Sequence, residues 1–356
     1  MPTRRRLLGV LGLAGTAALA GCVDGLGGDV GGASGGPATT GPPTRESPLY
    51  QPWSHETVRA AVVDGGPGKD GIPSVDDPSF VSAGESDLAD DEVVFGYAGT
   101  EDVKAYTQRV LVWHEVANDT LDGTPVAVTY CPLTGTAMGF ERGETTFGVS
   151  GRLVNNNLVM YDRATDSRWP QVLATAVDGP LAGDQLREFR LVWTTWGRWR
   201  EAYPDTLVLT EETGYARRYG SDPYGNYNPT SGYYGGGGPL FESLDEGWTR
   251  PQEDAKRVVI AARTADRALA FDKPALRERG LLASEDDGVI AAYDPRLDTG
   301  WVYRADGADV SFEEPGRVRV DGERFRAADL PLARVYGFDA MWHAVGGFYP
   351  EVAYVA

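Results

Sequence analysis

Val126-Ala127-Val128-Thr129-Tyr130-Cys131-Pro132 is a β-branched and aromatic run closed by a turn, and Val289-Ile290-Ala291-Ala292-Tyr293-Asp294-Pro295 answers it 163 residues later. Thr136 and Thr299 keep the same offset. Upstream, Val93-Val94-Phe95 with Ala105-Tyr106 matches Val258-Val259-Ile260 with Ala270-Phe271 at a constant 165; downstream, Trp196 and Pro204 match Trp342 and Pro350 at 146. Ordered matches at a slowly falling offset are the mark of a duplicated unit. The chain is therefore expected to be α+β and strand-rich, with two related halves from an internal duplication, the second degenerate. The first half is placed at residues 90–219 and the second at 255–356.

Period and punctuation mark the elements. Strands are predicted at Glu92–Tyr97, Pro125–Tyr130, Thr136–Glu141, Thr145–Ser150, Asn157–Tyr161 and Leu207–Leu209, each bounded by turn residues. Helices are predicted over Gln108–Leu121, over Thr195–Tyr203 before Pro204, and over Lys273–Leu282. Trp193, Trp196 and Trp199 are spaced as a core-facing helical stripe. Residues 220–254 read as a Gly/Tyr-rich connecting loop, and 49–89 as an irregular lead-in.

Ahead of the body, Arg4-Arg5-Arg6, an apolar run from Leu7 to Ala20 and the exit Leu19-Ala20-Gly21-Cys22 have the parts of a twin-arginine lipoprotein signal over 1–21. The apolar run is shorter than the roughly 20 residues a bilayer crossing needs. Cys22 is the expected lipidation site, which makes the membrane a partner and puts the body outside the cytoplasm. Residues 22–48 are rich in Gly, Pro, Ser and Thr and cannot bury enough apolar surface to offset their ordering entropy, so they read as a flexible stalk.

Thirty-three basic and 52 acidic residues give −19, and loss of the three signal arginines takes the mature chain to −22; only four of the basic residues are Lys. Such a surface stays hydrated where screening lengths are short, which points to a salt-rich source of haloarchaeal type. Nucleic acid is excluded as a partner, because phosphate binding needs a basic surface. With Cys22 lipidated, Cys131 is the one remaining thiol, and no intramolecular disulfide can form.

The polar residues concentrate in the first half. Trp113-His114-Glu115, Asn118-Asp119, Thr129-Tyr130-Cys131-Pro132-Leu133 and Gly135-Thr136 are followed by Phe147-Gly148-Val149-Ser150-Gly151, Met160-Tyr161-Asp162-Arg163, Ser167, Trp169 and Gln171. Together with Thr194-Thr195-Trp196, Pro204-Asp205-Thr206 and Asp222-Pro223-Tyr224, this pattern resembles the family known as domain of unknown function 3179, densely from about 90 to 230. The resemblance implies an exported or surface-anchored protein and assigns no reaction. The family's usual Cys-Pro-Leu-Cys-Gly-Thr has Thr134 in its second Cys position here, which speaks against a dithiol or two-thiolate role.

Three readings of these residues stand side by side. His114 and Cys131 flank one turn; a thiolate activated by the imidazole, with Asn118, Asp119 or Glu115 orienting the ring, makes a nucleophile. The same pair with a carboxylate suits copper or zinc. The third reading makes Cys131 a small core residue and His114 a helix histidine bonded to a carbonyl. Asn155, Asn157, Tyr161, Asp162, Trp169 and Gln171 offer amides beside aromatic rings, a surface for a hydroxyl-rich ligand, while the Asn155–Asn157 run equally suits a turn with left-handed backbone. The leading expectation is a surface module that binds a small ligand or a surface protein, without a cofactor; a thiol-dependent enzyme or a copper or zinc site on His114 and Cys131 is the alternative. His55 and His343 receive no role.

Overall fold

The computed structural model describes residues 40–248 and 255–356. The expected signal, Cys22 and the stalk as far as residue 39 lie outside the described residues. The chain is strand-rich with few helices, an α+β protein.

In the first half, Val93–Ala98 and Val103–Thr107 form a hairpin, and helix Gln108–His114 follows. The antiparallel meander Val116–Leu121, Thr124–Cys131, Thr136–Glu141 comes next, with Glu188–Phe189 on its far edge. Val192–Thr195 returns antiparallel to Val93–Ala98, helix Trp196–Ala202 follows, and Leu207–Leu209 lies parallel to Val103–Thr107. The second half runs through the same order and directions. Its hairpin is Val258–Arg263 with Ala268–Asp272, its helix Lys273–Arg279, and its meander Leu281–Ser284, Val289–Asp294, Thr299–Arg304 edged by Arg334–Val335. Gly337–Met341 then pairs with Val258–Arg263, helix Trp342–Phe348 follows, and Ala353–Val355 closes parallel to Ala268–Asp272.

Hydrogen bonds at the junctions recur as well. Glu115 N bonds Leu111 O as Gly280 N bonds Leu276 O, and Tyr130 N bonds Glu115 O as Tyr293 N bonds Gly280 O. Trp196 N bonds Glu92 O as Trp342 N bonds Arg257 O. The halves differ in what interrupts the meander: Phe147–Val154, Asn157–Asp162 and Arg168–Pro170 in the first, and the hairpins Val310–Glu314, Arg317–Val320 and Glu323–Arg326 in the second.

Local chemistry explains the boundaries, including those that differ from expectation. The helix from Gln108 stops at His114, not Leu121, because Glu115 takes a left-handed conformation (φ 59°) and turns the chain into the meander. The helix from Lys273 likewise stops at Arg279. Asp272 caps its start by accepting from Ala275 N, Pro274 sits in the first turn, and Gly280 (φ 75°) takes the left-handed position at its end. Trp193 lies on a strand and only Trp196 and Trp199 on the helix; both of these are fully buried, with Trp199 against Gly96, where a side chain would leave no room for the indole. The lead-in is more ordered than expected: His55–Ala60 is helical, Val63–Asp64 pairs with Arg152 and Leu153, and Phe80–Ser82 adds an edge strand beside Leu207–Leu209.

One hydrophobic core spans both halves, from Cys131, Phe140 and Trp169 to Ala261, Phe338 and Phe348. Polar ties join them too. Met341 N donates to Thr134 O at 2.8 Å, and Arg263 forms a buried ion pair with Glu188, which also holds Arg45 at 3.1 Å.

Candidate functional site

Cys131 ends its strand at a tight turn whose Gly135 (φ 57°) matches Asp298 (φ 52°) in the other half. The thiol is 1% exposed. Leu158 N donates to Sγ at 3.4 Å, Asn156 O lies 3.6 Å away, and Thr134 adds a side-chain bond. Burial, with the nearby Glu115 carboxyl second, pushes the thiol up to about 11, so it is not a thiolate at neutral pH. Thr134 meets Thr136 Oγ1 at 2.8 Å and Asn157 Nδ2 at 3.1 Å, so the position of the family's second cysteine belongs to a hydroxyl network.

His114 is bonded elsewhere. Its Nδ1 is 2.7 Å from Pro73 O and its Nε2 is 2.7 Å from Tyr219 OH. Nδ1–H donates to the carbonyl, which leaves Nε2 to accept from the phenol, and burial lowers the ring's pKa. Strand alternation sends its supposed helpers elsewhere. Asn118 bonds Asp76 at 2.6 Å and the backbone of Phe147, while Asp119 holds Lys104 at 2.8 Å and Tyr106 OH at 2.6 Å. The expected dyad of His114 and Cys131, with Asn118 or Asp119 in support, is therefore not assembled. Among the described residues no group of three His, Cys, Asp or Glu side chains is placed to hold a metal ion, so the copper or zinc reading gains no support from these contacts.

The expected ligand surface is interior. Asn155, Asn157, Tyr161, Asp162, Trp169 and Gln171 are all at most 4% exposed. Asn155 and Asn156, at φ 51° and 61°, make the two-residue hairpin turn that wants left-handed residues. Asn155 binds Ala344 O and Asn156 the backbone of Phe241. Asp162 accepts from Thr165 N at 2.7 Å and Trp169 Nε1 at 3.1 Å, closing its own turn. Asn157 and Gln171 are joined at 3.0 Å within the hydroxyl network. Tyr161 donates to Asp70 at 2.5 Å. These amides satisfy buried backbone and each other, and of the expected set Tyr161 lines a small cavity of about 170 Å³.

Four features were missed or read differently in the sequence, where Glu115 stood only as a group that could orient His114. Glu115 is 7% exposed, and among the described residues no hydrogen bond or ion pair reaches its carboxyl; burial pushes it up to about 8. The ordered sequence matches carried a signal for it, since the position at the same offset is Gly280. The loop after Tyr219 folds over the Cys131 turn: Tyr233 OH donates to Leu133 O at 2.7 Å, and Tyr227 and Tyr234 stack at 3.9 Å. His343, given no role, is fully buried with a bond to the backbone of Leu133, and burial pushes it down to about 4.

The fourth is a cleft of about 540 Å³, closed in part by that tyrosine loop and lined by matching positions of both halves: Trp193 and Asp339, Thr195 and Met341, Gly135 and Asp298. Lys256 stands 3.5 Å over the Tyr233 ring and donates to Gly236 O at 2.6 Å. Lys273 holds one oxygen of Asp339. The other, Oδ2, and the hydroxyl of Thr194 are buried in the cleft wall without a hydrogen-bond partner. Two of the four lysines of an acidic chain thus meet here with two unsatisfied polar atoms. Buried polar groups that lack partners are costly, and these two belong to residues that line the cleft.

A family model described as Protein of unknown function (DUF3179) matches residues 69–352. No curated protein and no solved structure matches the chain.

Proposed function

The chain belongs to the DUF3179 family, and from that premise we propose that it is a lipid-anchored, extracytoplasmic binding module that holds a small polar ligand in the cleft between its halves. The observation that carries this reading is one cavity of ligand size lined from both halves by Trp193, Thr194, Tyr227, Lys256, Lys273 and Asp339, two of whose oxygens, Asp339 Oδ2 and Thr194 Oγ1, have no hydrogen-bond partner. The carboxylate oxygen asks for a donor, and the hydroxyl can give or accept. Trp193 and Tyr227, 5.1 Å apart, supply aromatic surface. A thiol enzyme is disfavoured by a Cys131 that is both buried and protonated.

Melting temperatures measured with a panel of sugars, polyols and amino acids test the site. A member that stabilises the protein should lose at least tenfold in affinity in both Asp339→Asn and Thr194→Val, roughly 1.4 kcal/mol, and should keep its affinity in Cys131→Ser. A panel without a stabilising member, or one whose effect survives both cleft variants, sinks the reading.

The anchor rests on Leu19-Ala20-Gly21-Cys22 and the polar stalk behind it. Cys22→Ser should move the protein from the membrane fraction to the soluble one; retention in the membrane would exclude a lipid on that cysteine. The net charge and scarcity of lysine support a salt-rich setting, in which the acidic coat is solvated surface. The shared strand order and the recurring junction bonds support an ancestral duplication. A single rigid rotation carrying 93–209 onto 258–355 is its requirement, and separate rotations for hairpin sheet and meander would defeat it.

A further inference from the structure

A second cavity, of about 290 Å³, lies where Gly96 and Tyr97 of the first half face Trp301 of the second, and four arginines line it: Arg190, Arg296, Arg326 and Arg334. We propose that it binds a small multivalent oxyanion.

The argument starts from what arginines do elsewhere in this chain. On so acidic a surface they find carboxylates: Arg163 lies between Asp70 and Asp76, and Arg277 makes a two-point contact with Asp298. Arg190 and Arg334 do not. Among the described residues neither has a carboxylate within ion-pair distance. Arg190 gives its terminal nitrogens to Gly337 O, to Thr299 Oγ1 at 2.8 Å and to Gly300 O at 2.9 Å, while its Nε is buried without a partner. Arg334 donates to Ala328 O. Both guanidiniums stand over the Trp301 ring, 4.7 and 4.3 Å from its centre.

The remaining pairings are loose: Arg326 reaches Asp329, the one acid in the lining, at 3.5 Å, and Arg296 reaches Asp294 at 3.9 Å. Four guanidiniums around one carboxylate repel one another in a partly enclosed space, and an anion accepting from two or more of them removes that cost. Guanidinium forks match the oxygen spacing of carboxylate, sulfate and phosphate. The volume suits such an ion or a small polycarboxylate. Because Arg190 is fastened to Gly300 and Gly337, a bound anion also braces the contact between the halves.

The experiment uses the mature chain at fixed ionic strength, with chloride replaced stepwise by phosphate, sulfate or citrate, read by melting temperature and tryptophan fluorescence. At least one of the three should give a saturable stabilisation beyond chloride, weakened tenfold or more by Arg334→Gln and unaffected by Arg59→Gln on the open surface. Arg334 is exposed, so its variant should fold even if Arg190→Gln does not. Equal responses in wild type and Arg334→Gln would mean general salting-out of the kind kosmotropic anions produce, and would overturn the proposal. So would the absence of any response beyond chloride.

Discussion

Gln171→Ala is expected to cost about 4 kcal/mol of folding stability, enough to unfold a protein of ordinary stability. Gln171 is fully buried at the centre of a closed network. Its Oε1 accepts from Thr136 Oγ1 at 2.6 Å and Asn157 Nδ2 at 3.0 Å; its Nε2 donates to Thr129 Oγ1 at 2.8 Å and Thr136 O at 3.3 Å. Truncation removes four bonds at once, strands groups that water cannot reach, and leaves a void beneath the Cys131 turn. Urea unfolding would show a lower midpoint with an unchanged slope. A loss under about 1 kcal/mol would mean that the network relaxes or takes in water, and that this turn is not held from below.

Glu115→Gln is expected to act in the opposite direction. The native carboxyl keeps its proton up to about pH 8, whereas an ordinary glutamate loses it near 4.5. Across that window the unfolded chain has released a proton that the folded chain still holds, so wild-type stability falls as pH rises and levels off above 8. Glutamine cannot ionise. The variant should match wild type at about pH 4 and exceed it by about 4 kcal/mol at pH 8, a thousandfold in the folding equilibrium. Parallel stability curves for the two proteins would show that Glu115 is solvated after all. Glu115 also holds a left-handed conformation where its counterpart is glycine. A left-handed backbone and an unpartnered carboxyl thus coincide at one position, and both count against stability.

Much of the architecture is legible without coordinates. The strands Thr136–Glu141 and Leu207–Leu209 and the helix before Pro204 stand where alternation and punctuation put them, because these signals act over a few residues. Gln108–Leu121 misled because Glu115 is no usual helix stop: what ends that helix is a strained conformation, imposed by the pairing of Val116–Leu121 with the next strand. The site was harder to read, since spacing says that His114 and Cys131 are near one turn and nothing about which way they point. His114 is claimed by Pro73 and Tyr219, 41 residues before it and 105 after it.

The amino-acid sequence by itself determined the family and the strand-rich α+β class, which follow from motif order and periodicity, and it left the Asn155–Asn157 run open between a ligand surface and a left-handed turn. Only the tertiary structure decided that the amides from Asn155 to Gln171 face inward. It alone brought Trp193 and Asp339 into the wall of one cleft and gathered Arg190, Arg296, Arg326 and Arg334 around one space. The reason is physical: a buried polar group takes whatever partner the packing of distant segments brings to it, and that choice has no period along the chain.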